Sequence, residues 1–90
     1  MIQLVNADAF RRQATLNITW AGQNGDLPNP IAFDAPDADI RRWAAEAVRA
    51  GIPGISADAG VSFRDFVVER FSATHDLPNR VVLRPETPFG

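Results

Sequence analysis

The sequence predicts an α+β domain in which one helix packs on one face of a small sheet. Three observations lead there. From Ala14 the chain alternates, with Leu16, Ile18 and Trp20 on one side and Thr15, Asn17 and Thr19 on the other. That period of two, with β-branched residues and an aromatic, marks a half-buried strand. Ile40, Trp43, Ala44, Ala47 and Val48 recur at helical spacing and form one apolar stripe. Val81-Val82-Leu83, flanked by Arg80 and Arg84, reads as a further strand.

Taken in order, Ile2, Leu4 and Val5 read as a short strand or edge segment, and Asp8 to Arg12 as a polar turn. After the strand at 14–20 comes Gly22-Gln23-Asn24-Gly25-Asp26, where Asn-Gly is a strong turn signal because both residues tolerate positive φ. Pro28 and Pro30 interrupt any ladder, and Ile31 and Phe33 alternate as a second short strand. The two strands read as a hairpin with a long, stiff connection. Asp37 is the expected N-cap of a helix over 37–50, with Asp39 also favoured by the helix dipole. Gly51 is expected to supply a left-handed residue after the helix, Ile52 to fold back onto Ala47, and Pro53 to block continuation. Gly54 to Gly60 is a small-residue loop. Phe63–Phe71 fits both a strand and a helix opened by Ser62 and Asp65; the paired valines favour the strand. Thr74–Asn79 is a loop, and Pro85–Gly90 an extended, flexible tail.

The stripe of Ile40, Trp43, Ala47 and Val48 is expected to meet Leu16, Ile18, Trp20, Phe33, Val81 and Leu83, with Trp20 and Trp43 facing one another across strand and helix. One helix on one sheet leaves the other sheet face to solvent or a partner. Phe63, Phe66, Val67, Val68 and Phe71 cannot all point inward from a strand, so some are expected in an exposed apolar patch.

Composition bounds the function classes. Ninety residues make one domain, 1–90, burying only about 60–65% of its unfolded surface. An apolar content of 46% with 22% charged residues excludes global disorder. The net charge of −2 and the scattered arginines lack the basic stripe of a nucleic-acid binder. All nine basic residues are arginine, so no side chain can accept an isopeptide bond or form a Schiff base. The absence of cysteine removes disulfides, thiolate catalysis and thiolate metal sites. No apolar run approaches the ~18–20 residues of a membrane span, and the first residues lack a signal-peptide pattern, so a cytoplasmic protein is expected.

Candidate chemistry is sparse. His75, beside Asp76, reads as an exposed loop histidine; the alternative is a general base in a small hydrolase. Asp34, Asp37 and Asp39 lack the glycine and distal glutamate of a calcium loop and read as helix-entry residues. No catalytic residue, cofactor or metal ligand is assigned. Arg41, Arg42 and Arg49 line the helix's outer side, as a solvated face or as a docking surface for an acidic partner.

The hairpin, the helix closed by Gly51-Ile52-Pro53, and a last strand Val81-Val82-Leu83-Arg84 running into a tail that ends in Gly90 resemble the ubiquitin-like β-grasp fold. Asp34-Ala35-Pro36-Asp37 also looks like its helix entry, and the likeness covers residues 14–90 as an order of elements. The resemblance implies an α+β β-grasp domain, one helix on a small mixed sheet, acting without catalysis as a protein-interaction or modifier module. Relatives of that kind act through a C-terminal diglycine activated by an adenylating enzyme. This chain ends Pro88-Phe89-Gly90, with one glycine, so Phe89 and Gly90 are the residues at which conjugation is tested. The alternative is an accessory or adaptor subunit whose tail has no chemistry. Partner-binding residues are expected at Phe66, Val68, Phe71, Arg41 and Arg42, with protein partners, no nucleic acid, no membrane, and weak self-association through an exposed sheet.

Overall fold

The computed structural model describes residues 12–86. Ile2, Leu4, Val5 and most of the polar turn before Arg12 lie outside them, as do Pro88, Phe89 and Gly90. Five strands and one helix are present among the described residues: β1 Gln13–Trp20, β2 Gln23–Asp26, β3 Ile31–Ala32, α1 Asp37–Ala50, β4 Val67–Phe71 and β5 Arg80–Arg84. The helix packs on a mixed sheet, so the α+β expectation holds. The sheet runs β2-β1-β5-β4, with β3 also on β1. β1 and β5 are parallel at its centre, and every other pair is antiparallel.

β1 forms because its alternation is real. Ala14, Leu16 and Ile18 are buried, while Thr15, Asn17 and Thr19 face out. The hairpin turn is tighter than expected. Trp20 pairs with Gln23, so only Ala21 and Gly22 make the turn, with φ of 52° and 77°. Two successive positive φ values are what a two-residue type I′ connection demands, and its twist matches the strands. Asn24 and Gly25, expected as the turn, lie inside β2. Their character has another cause: Gly25 sits against the Pro53 carbonyl, and Asn24 joins a polar ladder on the open face.

β3 continues the same edge after an excursion. Asp26 lies opposite Asn17 and Ile31 opposite Ala14, so Leu27–Pro30 bulge out where two β1 residues suffice. Leu27 N–H still donates to Leu16 O at 2.8 Å. The expected hairpin is therefore present, with its partner strand broken in two by the prolines.

The helix spans 37–50 as expected, but Asp37 is not its cap. Pro36 occupies that position and no side chain caps the first turn. The Asp37 carboxylate instead accepts from Arg70 Nη2 at 2.5 Å. Ile40, Ala44 and Val48 are buried, facing Leu16, Ile18, Val81 and Leu83 in one cluster. Trp43 packs at its margin. Gly51 ends the helix at φ 90° and ψ 139°, an extended positive-φ conformation rather than a left-handed helical one, and donates to Ala47 O and Val48 O. Ile52 pairs with Ile55 in a small bridge, so the chain turns onto itself after the helix.

The segment 51–66 then closes the open end of the core with Ile55, Val61 and Phe63. Trp20 does not face Trp43. Its ring packs on Phe63 and Phe66, at centroid distances of 5.3 and 5.7 Å. Its Nε1–H donates to Asp58 Oδ2 at 2.8 Å, and Asp58 N–H donates to Val48 O. That indole bond, with a second from Gly60 N–H, holds the Asp58 carboxyl below its ordinary pKa. Strand is the correct reading of the ambiguous segment, but only from Val67. Phe63–Phe66 form a turn, with Phe66 N–H donating to Phe63 O.

Candidate protein-interaction surface

Registers fix what the open sheet face carries. Val81 and Leu83 are buried under the helix, so Arg80, Val82 and Arg84 of β5 must face away from it. Pairing places Phe71 beside Arg80, Glu69 beside Val82 and Val67 beside Arg84. On the other flank, Thr15 lies beside Arg80 and Asn17 beside Val82. One row across the face therefore reads Thr15, Arg80, Phe71. The next reads Asp26, Asn17, Val82, Glu69.

The face divides into two chemistries. On β1 and β2, Asn17 Nδ2 donates to Asn24 Oδ1 and Asp26 Oδ1, and Asn24 Nδ2 donates to Asn17 Oδ1 and Thr19 Oγ1. This polar ladder satisfies itself. On β4 and β5 the face carries Val67, Val82 and Phe71 beside charged groups. Arg84 donates to both oxygens of Glu69, at 2.7 and 3.1 Å. Those hydrogen bonds hold the Glu69 carboxyl below its ordinary range and raise the Arg84 guanidinium. Arg80 stands 5.0 Å over the Phe71 ring, within cation–π reach. With both Glu69 oxygens taken, Arg80 has no ion pair among the described residues.

The residues expected to bind partners scatter. Phe66 and Val68 are half-buried against the core, Phe66 in the cluster with Trp20 and Phe63. Alternation on β4 points Val68 at the helix side, and the ring contacts of Phe66 hold it there too, which removes both from an exposed patch. Phe71 takes the opposite parity and is 41% exposed. Arg41 is not a free cation. Its Nε and Nη2 donate to Phe66 O at 3.2 and 3.0 Å, tying α1 to the start of β4. Arg42 stays on the outer helix side, 3.3 Å from Asp39. The structure thus separates Phe71 from Arg41 and Arg42, which lie on the helix. Phe89 and Gly90 fall outside the described residues.

Several side chains had no warning in the sequence. Arg70 forks across Phe33 O, Ala35 O and Asp37, clamping the helix entry to β4. Buried Asn79 donates to Gln13 O and accepts from Ala73 N–H, fastening the β4–β5 loop to the start of β1. Leu77 in that loop is 51% exposed. Beside it, Leu27, Pro28, Pro30 and Pro78 with Thr15 and Asn79 line an open groove of about 270 Å³. The outward set of β5 was available from alternation once Val81 and Leu83 were assigned to the core.

His75 is an exposed loop residue 3.3 Å from Asp76. Asp37 and Asp39 are each held by an arginine, and no three His, Asp or Glu side chains among the described residues could together hold a metal. No described helix is long and apolar enough to cross a membrane. Compared with known proteins, the chain matches no family model, no curated protein and no solved structure.

Proposed function

We propose that this chain is a non-enzymatic, ubiquitin-like β-grasp module that binds protein partners through its open sheet face. The observation that carries the reading is that face itself. Val67, Val82 and Phe71 stand outward on β4 and β5 while the helix and the 51–66 segment cover the opposite side. A sheet that needs both faces covered to fold would not leave these residues out. The β-grasp reading is supported by the two hairpins flanking one helix among the described residues and by the parallel pairing of β1 and β5 at the sheet's centre. Phe89 and Gly90 would serve as a covalent anchor in a modifier and carry no chemistry in an adaptor.

Two measurements test this. Native purification from the source organism compares the chain with Val82→Arg, which alters the open face and leaves the core intact. Partners retained by the first and lost by the second support the reading; identical partner sets refute it. Purification under denaturing conditions compares the chain with a Gly90 deletion. Heavier species that vanish on deletion make it a modifier, and the free chain alone makes it an adaptor.

A further inference from the structure

We infer that one end of the open face, from the proline-lined groove across Arg80 to Phe71, binds an extended peptide segment of a partner carrying an apolar side chain and, about two residues on, a carboxylate. This rests on the reading of the open face as a docking surface and names what docks there. The groove supplies the apolar half of the recognition. Its walls are Leu27, Pro28, Pro30 and Pro78, and proline offers no N–H to a ligand. Thr15 lines the groove and is also the register neighbour of Arg80, which in turn neighbours Phe71. Thr15 therefore joins the groove to the row that carries the guanidinium and the exposed ring.

Arg80 supplies the charged half. Its diagonal neighbour Glu69 is the carboxylate that would ordinarily neutralise it, and Arg84 occupies both oxygens of that group. Stacking on Phe71 holds the Arg80 fork in place and leaves its N–H edge for an incoming acceptor. A planar, preorganised guanidinium is matched best by a carboxylate bound through two hydrogen bonds. A polyanion is a poor match for a chain of net charge −2 with one such cation on this face. The spacing follows from sheet geometry. Neighbouring strands lie ~4.8 Å apart, an extended chain advances ~3.3 Å per residue, and its same-side side chains recur at every second position, so a segment with an apolar side chain in the groove presents its next same-side residue, about two positions on, to Arg80. Phe71 and Leu77, the two exposed large hydrophobics among the described residues, both lie at this end and offer a seat for a further apolar side chain.

The test is selection of a display library of short random peptides on the full chain and on Arg80→Gln. Enrichment of an apolar residue followed two positions on by Asp or Glu is expected on the first. The enriched peptides should bind Arg80→Gln at least about tenfold more weakly, while its unfolding midpoint stays unchanged. Binding that survives Arg80→Gln overturns the inference. If such peptides are lost instead with Val82→Arg, the open-face reading stands and this assignment fails. Failure to enrich any peptide on either chain overturns this inference, while the open-face reading stands or falls on the Val82→Arg partner comparison. Concentration-dependent self-association that shifts the amides of Thr15, Leu77 and Arg80, with no peptide enriched, gives the surface to a second copy and also overturns it.

Discussion

Replacing Gly25 with alanine reverses the usual rule for a glycine in a strand. Backbone entropy alone would make that change stabilising by roughly 0.5–1 kcal/mol. Gly25 has no positive φ to protect. Its constraint is contact. A Cβ there would fall inside the Pro53 carbonyl oxygen and against Ile52 Cδ1 and Ile55 Cγ1, each at 3.4 Å. The approach is mutual, since a Cβ on Gly54 would strike the Asn24 carbonyl and lie 3.2 Å from Gly25 Cα. Two backbones, β2 and the turn after α1, are therefore held together with no room for a methyl group. Separating them costs about 1–3 kcal/mol by the measure of overpacked sites, and up to the whole gain in backbone entropy offsets it. A net loss near 1 kcal/mol lowers the midpoint of a domain this size by roughly 4–8 °C. Circular dichroism during heating and urea titration reads both quantities, with an unchanged urea slope. Gly22→Ala is the control, because Gly22 has φ 77° and nothing within 4 Å. Asparagine, which tolerates that conformation, should rescue position 22 and not position 25. A midpoint for Gly25→Ala at or above that of the parent chain would refute the reasoning.

Four further outcomes follow from the same structure. Leu16→Ala empties the centre of the core and should cost about 3–5 kcal/mol, measured by urea unfolding, a large part of the stability of a 90-residue domain. Arg70→Lys keeps the charge but cannot span Phe33 O, Ala35 O and Asp37 together, so amide exchange should accelerate locally at the helix entry and at β4 before it does in β1. Trp20→Phe removes the indole donor that depresses Asp58, so the Asp58 carboxyl carbon should titrate at a higher pH than in the parent, seen by carbon NMR. Glu69 has a lowered pKa in the folded chain, so its stabilisation is complete above its ordinary value of 4.5 and disappears as the pH falls through the folded value. Glu69→Gln should therefore flatten the decline of the urea midpoint below about pH 4.5; parallel curves would contradict the pairing.

What the sequence determined by itself is the set of elements whose signal is local. Alternation in 14–20 and 80–84, and the helical stripe of Ile40, Ala44 and Val48, fixed two strands and one helix with near-correct boundaries. These patterns are intrinsic to period and side-chain type, so no neighbour could alter them. The tertiary structure alone decided whatever depends on an approach between distant segments. Asn24-Gly25 looks like a turn because the residues that make turns also permit close backbone approach, and only the arrival of Pro53 separates the two uses. Asp37 looks like a cap until Arg70, 33 residues on, takes its carboxylate. The outward parity of β4 was open to either choice, and pairing with β5 settled it, putting Val68 inside and Phe71 outside. The open face inherits that decision. A one-residue shift of register exchanges every side chain between core and solvent, so the surface that meets a partner is written in the sheet pairing rather than in any local run of residues.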